Sequence, residues 1–431
     1  MKVLLVGAGA REHAVAEQIS KSASLYSIMP KKHPGIAKLA TKILIADPTD
    51  AETVGQWCIK EGIDLGFVSP DALLAAGVSD ILAKAGMKVA SPLKDAARIE
   101  WDKSFARTLM EEESIPGLPE FQIVDSQEAA SSFIRDMGEV AIKPIGLTGG
   151  KGVRITGEHL KDEKEAMQYA SSLIKKDGSV LIEERLDGEE ITVQSFSDGS
   201  RISLMPPVQD HKRAFVGDRG PNSGGMGSYS TGKLLPFMEQ KDLDEAKAIM
   251  DKTVSALREK GTPFVGVLYG QFMLTKKGLK VIEFNARFGD PEAMNVLTLL
   301  RTQLADILAS MADGNLIQPA FSNDSTVVKY LVPDGYPEKG KKDEKIDINE
   351  KGIWNCGSKL YFGSVYEKDG AVYTTSSRTA AVAAHAPTLK LAEEKTECAA
   401  RQVSGPVWHR PDIGTDALVK KRMEHMRRLK S

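Results

Sequence analysis

The residues best suited to chemistry lie in one segment, "KVIEFNARFGDPE", at residues 280–292. Its alternation predicts a strand with Ile282, Phe284 and Ala286 on one face and, on the other, Val281, Glu283, Asn285 and Arg287. A carboxylate and an amide oxygen two residues apart suit a magnesium ion that bridges nucleotide phosphates. Gln271, in the neighbouring predicted strand, adds a third oxygen, and Arg287 is placed to grip a planar oxyanion. The alternative is a half-exposed strand with a polar outer face.

A glycine-rich loop, "AIKPIGLTGGKGVRI", carries two lysines, Lys143 in a predicted strand and Lys151 in the loop itself. A Walker A loop needs Gly-Lys-Ser/Thr at the start of a helix, whereas Gly152 and a β-branched run follow Lys151. A glycine hairpin between strands can instead close as a flap and present N–H groups and lysines to the outer phosphates of a nucleotide. The alternative is a mobile hairpin with two solvated lysines.

The opening turn, "KVLLVGAGAREHAV", is similar to a dinucleotide-binding turn at Gly7 and Gly9. The third glycine position holds Glu12, and the next predicted strand ends at Lys31 and Lys32, where an NAD site needs an acid. We therefore expect a single phosphate at this helix N-terminus rather than NAD. A tight turn that serves only packing is the alternative.

Two further segments are candidates for ligand binding. "LIEERLDGEE", residues 181–190, is an apolar strand that ends in acids; taken alone it favours a solvated strand end over a site where Glu190 holds ribose hydroxyls. Residues 209–230 contain four glycines between positions 220 and 227, which favours a substrate or phosphate loop over a disordered connection. No metal-ligand spacing of histidines and no Ser/His/Asp arrangement is visible, so a protein nucleophile is unsupported.

The elements that position these segments follow from their periodicity. From residue 1 to about 100, apolar runs alternate with helical patterns, which predicts βαβ units on a parallel sheet. A small α+β unit with a helix near residues 162–176 comes next, and then strand pairs with a long helix. A closing helix is predicted near residues 292–313, and a late helix near residues 388–402 among short strands.

Composition sets the outer limits. At 431 residues the chain is too long for one hydrophobic core, and its net charge of −2 gives no attraction to nucleic acid or an anionic membrane. Cys58, Cys356 and Cys398 are far apart in sequence, which predicts neither a disulfide framework nor a thiolate zinc site. No apolar stretch approaches the length of a membrane span and no export signal is visible, so we expect a soluble, cytoplasmic protein.

In chain order, "GAGAREHA", "LTGGKGVRI", "IEERLDGEE", "QDHKR", "GPNSGGMGSYS" and "VIEFNARFGDPE" closely resemble the phosphoribosylamine–glycine ligase family, ATP-grasp enzymes of purine biosynthesis. The resemblance implies an α/β and α+β multidomain protein with an ATP-grasp fold, a Rossmann-like preATP-grasp N-terminal domain and a β-rich C-terminal domain. The implied divisions are residues 1–100 for the N-terminal domain, 101–125 for the linker and start of the ATP-grasp core, 126–195 for the lid, 196–325 for the core with the metal site, and 326–431 for the C-terminal domain.

The resemblance also implies a reaction: ATP-dependent ligation of glycine to 5-phosphoribosylamine through glycyl phosphate, by a monomer or weak dimer. The implied ATP-binding residues are Lys103, Lys143, Gly149, Gly150, Lys151, Gly152, Glu183, Glu184 and Glu190. The implied ligands of Mg²⁺ or Mn²⁺ are Gln271, Glu283 and Asn285, and the implied catalytic residues are Lys151 and Arg287. The implied substrate-binding residues are Gly7, Gly9, Arg11, Glu12, His13, Asp210, Lys212, Asn222, Gly224, Gly225, Met226, Gly227, Arg287 and Asp290.

The chain departs from the family pattern in three places. Residues 29–35 read "MPKKHPG" where Gly-Asn-Pro-Gly is usual, residues 68–77 read "VSPDALLAAG" where Gly-Pro-Glu is typical, and the flap lacks the acid that usually precedes Gly-Leu. Three other functions stay open at this point: another ATP-grasp carboxylate–amine ligase, a Rossmann-type NAD(P) oxidoreductase, and a binding protein without activity.

Overall fold

The computed structural model describes residues 1–148 and 152–431. The predicted ATP-binding residues Gly149, Gly150 and Lys151 lie outside the described residues.

The first hundred residues form the predicted parallel sheet with helices around it. The strands are β1 (Lys2–Val6), β2 (Ser24–Met29), β3 (Lys42–Ile45), β4 (Leu65–Val68) and β5 (Lys88–Val89). The helices are α1 (Ala10–Ser20), α2 (Pro34–Leu39), α3 (Ala51–Glu61), α4 (Asp71–Ala75), α5 (Val78–Lys84) and α6 (Lys94–Trp101). The strand order is β3-β2-β1-β4-β5, and every pair is parallel. The order reverses direction at β1, so the opening turn lies where open α/β sheets bind ligands.

The next segment forms a small unit with its own hydrophobic core. After α7 (Lys103–Glu112) its elements are β6 (Phe121–Val124), α8 (Gln127–Met137), β7 (Val140–Lys143), β8 (Arg154–Ile155), α9 (Glu163–Asp177) and β9 (Val180–Glu184). The antiparallel sheet has the order β6-β9-β7-β8. Its apolar side chains, among them Ile134, Ile142 and Leu173, form a cluster separate from the main core. A separate core allows this unit to move as one body, as a lid must.

The central segment places the predicted metal strand in an antiparallel sheet. Its strands are β10 (Glu189–Asp198), β11 (Ile202–Leu204), β12 (Gln209–Asp210), β13 (Arg213–Phe215), β14 (Arg219–Asn222), β15 (Gly227–Ser230), β16 (Val265–Thr275) and β17 (Gly278–Asn285). Its helices are α10 (Gln240–Glu259), α11 (Glu292–Leu299) and α12 (Leu304–Ala312). The order β11-β10-β16-β17 makes β16 the neighbour of both acid-bearing strands.

The predicted closing helix near residues 292–313 is two helices, so that prediction is wrong in its continuity. Leu300 has an extended backbone and forms a β-bridge with Phe321. The Arg301 amide donates to the Ala320 carbonyl at 2.8 Å. The apolar periodicity of residues 292–313 predicts one helix, but pairing with the segment at Ala320 and Phe321 interrupts that helix.

The last segment builds a sheet that also takes strands from the central segment. Its strands are β18 (Ser325–Pro333), β19 (Lys345–Ile348), β20 (Ser358–Phe362), β21 (Val365–Lys368), β22 (Ala371–Thr374), β23 (Ala380–Ala386), β24 (Val403–Ser404) and β25 (Val407–Trp408). Its helices are α13 (Glu350–Asn355), α14 (Leu389–Ala400) and α15 (Asp416–Lys430). The main sheet has the order β12-β15-β18-β23-β20, with β25 also on β18. The sequence patterns predicted α14 but not α15.

Cys356 and Cys398 form a disulfide bond, so the prediction that the cysteines do not pair is wrong. The two residues are 42 positions apart in sequence, but α13 and α14 pack against each other and against β20. Spatial neighbours of this kind cannot be recognised from cysteine spacing. Cys58 is buried and free, and burial raises the pKa of its thiol to about 11. Among the described residues, no helix combines the length and the apolar character that crossing a membrane requires.

The contact between β15 and β18 gives a first prediction. Gly227 has a φ of +149°, and an added Cβ would lie 2.2 Å from the Val328 carbonyl oxygen. Gly227→Ala should therefore destabilise the protein by about 2–3 kcal/mol, measured as a lower thermal midpoint. Gly261→Ala is the matched control, because Gly261 has a φ of +80° but no atom within 4 Å of an added Cβ, and about 1 kcal/mol is expected there. Equal losses in the two variants would contradict the close approach as the cause.

Candidate nucleotide and metal site

The predicted metal ligands lie on one face of the β16–β17 pair. Gln271 pairs with Glu283, and Tyr269 pairs with Asn285. A β-bulge at Ile282 then shifts the register, so that Val281 pairs with Phe272 instead of continuing the alternation. The expectation that Val281 shares the face of Glu283 is therefore wrong, and Val281 is fully buried in the core.

Gln271 is the ligand candidate with a free acceptor. Its Nε2 donates to Glu190 Oε2 at 2.7 Å, while its buried Oε1 has no hydrogen-bond partner among the described residues. A buried carbonyl oxygen without a donor is costly unless a ligand satisfies it. The amide of Asn285 is already engaged, since its Oδ1 accepts from Arg287 Nη2 at 3.0 Å.

Carboxylates surround Lys212 from several strands. Lys212 Nζ lies 3.5 Å from Glu190 Oε2, and Glu190, Glu283, Asp210 and Glu292 together raise the pKa of Lys212 despite its burial. Burial alone would raise the pKa of Glu283, but Lys212, Lys103, Lys143 and Arg287 lower it below its ordinary value. Glu283 is therefore ionised at neutral pH, as a metal ligand must be.

Asp210 behaves differently from Glu283. Burial and the nearby Glu292 raise the pKa of Asp210 well above its ordinary value. Its Oδ1 is buried and has no hydrogen-bond partner among the described residues. Glu292 accepts from the Tyr269 hydroxyl at 2.9 Å and from the Thr192 hydroxyl at 3.2 Å. Asp210 is thus the carboxyl that gains most when a cation or a hydrogen-bond donor binds beside it.

Arg287 is held in place by Glu100, a residue that the sequence motifs did not single out. Glu100 Oε1 lies 2.9 Å from Arg287 Nη2, and Glu100 Oε2 accepts from the Ala286 amide at 2.8 Å. The guanidinium also lies over the Tyr269 ring, 5.8 Å from its centroid. Arg287 Nε is buried and donates to no acceptor in the part of the chain that the structure describes, so it remains free for an oxyanion.

Glu183 forms buried ion pairs with Lys143 and with Arg107, a second residue that the sequence motifs did not single out. Lys143 Nζ lies 2.5 Å from Glu183 Oε2, and Arg107 Nε lies 2.6 Å from Glu183 Oε1. Burial lowers the pKa of Lys143 against the opposing effect of Glu183, while Arg107 and Lys143 hold the pKa of Glu183 below its ordinary value despite burial. Arg107 Nη2 also donates to the carbonyls of Val281 and Ile282, at 2.9 and 2.8 Å.

One cleft lies between α7, the lid and β17. It is lined by residues that include Lys103, Lys143, Glu183 and Glu283. Lys103 Nζ donates to the Gly146 carbonyl at 3.0 Å, so this lysine reaches the start of the flap. The cleft therefore brings together four of the predicted nucleotide and metal residues, from α7, the lid and the central sheet.

Two predicted ATP-binding residues, Glu184 and Gly152, form hydrogen bonds within or at the edge of the lid. Glu184 Oε1 accepts from the Glu120 amide at 3.0 Å, where β9 leaves the lid. The Gly152 carbonyl accepts from the Tyr169 hydroxyl at 2.6 Å. An added Cβ at Gly152 would lie 2.7 Å from Pro144 Cγ, so glycine is needed for this close approach.

The opening turn is built around a buried carboxylate. Glu12 Oε1 accepts from Arg11 Nε at 2.7 Å and from the Ser69 hydroxyl at 2.6 Å, and these partners hold the pKa of Glu12 below its ordinary value despite burial. Gly7 has a φ of +126°, and Gly9 is the N-cap of α1 without a side-chain cap. The N-cap residue of α1 thus supplies no side-chain acceptor to the first amides, and the Glu12 carboxylate approaches the same turn.

His13 faces the C-terminal segment. Its Nδ1 accepts from the Phe362 amide at 3.0 Å, and its ring stacks on Phe362 at 5.9 Å. Burial, with help from His33 and Lys38, lowers the pKa of His13 to about 3. His13 is therefore neutral at physiological pH and joins α1 to β20.

The predicted substrate loop is tied down next to Asp290. Arg378, which the sequence motifs did not include, donates through Nη1 to the Gly225 carbonyl at 3.1 Å and through Nη2 to Asp290 Oδ2 at 2.8 Å. An added Cβ at Gly225 would lie 2.8 Å from Asp210 Oδ1, so this turn reaches the carboxylate cluster. Gly224 is exposed and Asn222 is half-buried, whereas Met226 is fully buried and packs in the core.

Three family models match the chain in order. They describe the phosphoribosylglycinamide synthetase N domain over residues 1–100, its ATP-grasp (A) domain over residues 101–293 and its C domain over residues 326–416. The chain belongs to the phosphoribosylglycinamide synthetase family. The resemblance found in the motifs is thereby confirmed.

Individual relatives of this family agree with the models. The phosphoribosylamine–glycine ligase of Methanosarcina barkeri is 49% identical over 437 residues, with 100% of both chains covered. The solved structure of phosphoribosylamine–glycine ligase from Thermotoga maritima has a TM-score of 0.82 at 27% identity and covers 96% of this chain and 100% of that one. A biotin carboxylase structure from Campylobacter jejuni has a TM-score of 0.75 at 15% identity, with 99% and 98% covered, and shows the fold alone. The ATP-grasp fold is confirmed.

The metal that this family implies fits the residues present. The donors are oxygens of an ionised carboxylate and two amides, which hard divalent cations prefer. The unpartnered Gln271 Oε1 beside Glu283 is the observation that supports the fit. Within residues 1–148 and 152–431, this site included, no group of three or more His, Cys, Asp or Glu side chains could hold a metal ion, so the proposed set depends on its two amide oxygens.

The Glu183 ion pairs give a second prediction. Arg107→Ala would leave the buried Glu183 with a single cation and two carbonyls of β17 without this donor. We expect a loss of about 3–5 kcal/mol, measured by thermal denaturation. Arg185→Ala, which removes a solvent-facing pair with Glu139, is the control and should cost less than about 1 kcal/mol. A similar small loss in both variants would show that Arg107 is not essential to the ion-pair group.

Proposed function

We propose that this chain ligates glycine to 5-phosphoribosylamine at the expense of ATP, giving glycinamide ribonucleotide, ADP and phosphate. The observation that carries the proposal is the cleft in which Lys103, Lys143 and Glu283 meet, with Gln271 on the strand paired with β17 and Arg287 two residues beyond the end of β17. These groups are cations, oxygen ligands and an oxyanion donor, and no nucleophile is among them. Such a set suits a reaction in which ATP activates the substrate itself.

Lysines and acids of the cleft are assigned to the nucleotide. Lys103 of α7 and Lys143 of β7 would contact the phosphates, and Lys151 with its neighbouring glycines would cover them. Glu183, Glu184 and Glu190 would line the base and the ribose. The contact of Glu190 with Gln271 links the ribose position to the metal position.

A divalent cation, Mg²⁺ or Mn²⁺, would be held by Gln271, Glu283 and Asn285. When bound, it would offset the negative charge that spreads over the phosphate oxygens during transfer. Asn285 would have to share its oxygen with Arg287, whose Nη2 already donates to it. Glu283 supplies the one full negative charge of the set.

The reaction divides into two displacements. A glycine carboxylate oxygen attacks the γ-phosphorus in line, the bond to the β,γ-bridging oxygen breaks, and ADP leaves glycyl phosphate behind. The amine nitrogen of phosphoribosylamine then attacks the acyl carbon, the bond to the phosphate oxygen breaks, and the nitrogen releases a proton. Arg287, through its free Nε, would hold the carboxylate and then the acyl phosphate.

The remaining substrate contacts are assigned by position. The sugar phosphate would sit at the opening turn, where Gly7, Gly9 and the start of α1 present amides beside Arg11 and Glu12. The reacting glycine and the acyl phosphate would be held by the loop that contains Asn222, Gly224 and Gly225. Asp210, Lys212 and Asp290 would contribute to the same site. Met226 and Gly227 would maintain the shape of the loop from its buried side. His13 would act at this site through packing on Phe362. Water must be excluded because acyl phosphates hydrolyse, and a closing lid serves that purpose.

A coupled ADP-release assay with glycine and freshly made phosphoribosylamine tests the function. ADP should form at a substantial rate only when both substrates are present. Release with a different acid or amine would instead assign the chain to another carboxylate–amine ligation. A fluorescence titration with NAD(P)H should show no binding at the opening turn, because Glu12 fills the third glycine position.

The metal assignment gives a third prediction. Glu283→Gln should lower turnover by about 100-fold or more, because it removes the charged ligand while the amide keeps the shape of the side chain. Turnover is measured against magnesium concentration, and thermal denaturation checks that the fold is intact. Glu259→Gln, an exposed substitution on α10, is the control and should leave turnover unchanged. A Glu283→Gln enzyme with full activity at low magnesium would refute the metal site.

Location and assembly complete the proposal. We expect the chain to act on small molecules in the cytoplasm, as a monomer or a weak dimer. The net charge of −2 supports the absence of a nucleic-acid partner. Size-exclusion chromatography with light scattering measures the assembly directly.

A further inference from the structure

The last helix, α15, directs polar side chains inward. It begins at Asp416, where the match to the family's C domain ends. Leu418, Val419 and Met426 are buried and fix the helix to the body of the protein. Between these apolar contacts, Arg422 and His425 reach the central sheet.

Both side chains bind the first residue of β10, Glu189. Arg422 Nη1 lies 3.1 Å from Glu189 Oε2, and His425 Nδ1 lies 2.7 Å from Glu189 Oε1. Glu189 is only 2% exposed, and burial raises the pKa of its carboxyl against the opposing effects of Arg422 and His425. A buried carboxylate of this kind needs its partners, so α15 fixes the start of β10.

Glu189 and the candidate ribose ligand Glu190 are consecutive residues on one strand. Their side chains therefore lie on opposite faces, Glu189 toward α15 and Glu190 toward Gln271. Gln209 connects the two positions, since its Nε2 donates to the Glu190 carbonyl at 3.2 Å and to Glu189 Oε2 at 3.4 Å. A shift of Glu189 would consequently move the Glu190 carboxylate.

The same helix also holds the hairpin formed by β13 and β14. Arg422 Nη2 donates to Asp218 Oδ2 at 2.6 Å, and Lys421 Nζ donates to the Gly217 carbonyl at 3.2 Å. Arg410, which is fully buried, adds contacts of 3.2 Å to Asp218 Oδ1. This hairpin precedes the glycine loop next to Asp290, so α15 contacts two elements that carry candidate ligands.

We propose that α15 is a positioning element of the nucleotide site, and that Arg422 and His425 act on ATP affinity through Glu189 and Glu190. The inference rests on the nucleotide role proposed above for Glu190. Neither residue touches the cleft, so their effect is on the placement of Glu190 and not on the chemical step. The helix thus makes ATP binding depend on the C-terminal end of the chain.

A double-mutant cycle tests the inference by direct titration of magnesium and a non-hydrolysable ATP analogue, which needs no ligation substrate. His425→Ala should weaken binding about tenfold in the otherwise unchanged protein and have no further effect in the Glu190→Ala background. His425→Gln, which can still donate to Glu189, should restore most of the affinity. Lys430→Ala is the control, since Lys430 lies on the same helix but pairs with Glu239.

The outcomes separate two failures. If His425→Ala weakens binding equally in both backgrounds, or leaves binding unchanged, the positioning role of α15 is overturned while the nucleotide site stands. If Glu190→Ala alone leaves affinity unchanged, the nucleotide role of Glu190 is wrong and the inference falls with it. Thermal midpoints are measured for every variant to check folding. If His425→Ala fails to fold, Arg422→Lys, which keeps the charge, serves as the second probe.

Discussion

The bulge at Ile282 is the feature on which the candidate site depends. Without it, Val281 would share the face of Glu283, and the apolar side chain that now packs on Phe272 would lie among charges. β17 is also the edge strand of its sheet, and Arg107 and Lys143 donate to the carbonyls of Val281 and Ile282 at the bulge. A single inserted residue thus separates core from site and connects β17 to the lid.

The charges of the site balance one another across different elements. Glu183 from the lid meets Arg107 from α7, Glu100 from α6 meets Arg287 beyond β17, and Lys212 meets acids of the central sheet. Because an isolated buried charge is expensive, each of these pairs ties two parts of the chain together. Among the described residues, the arrangement leaves Gln271 Oε1 and Asp210 Oδ1 without hydrogen-bond partners, and a ligand that binds there would satisfy them.

Local pattern predicted the parallel sheet, the lid helix and the spacing of Glu283 and Asn285, because two-residue and 3.6-residue periods are properties of adjacent residues. Glu100, Arg107 and Arg378 could not be recognised in this way, since their partners are more than 70 positions away in sequence. The same limit explains the errors at Leu300 and at Cys356, where distant segments decide the local structure. Charged residues at apolar-face positions of a helix are one signal that the sequence carries, since Glu100 is buried beside Ala96 and Ala97 on α6, and Arg107 is buried beside Ala106 and Met110 on α7.

The shared sheet has a consequence for biosynthesis. β15 is bordered on one side by β12 and on the other by β18, which is translated about a hundred residues later. Until that strand leaves the ribosome, the backbone of β15 lacks its pairing partner on this side, and unpaired strand edges favour aggregation. The loop beside Asp290 therefore acquires its final geometry late, after both β18 and Arg378 have been synthesised.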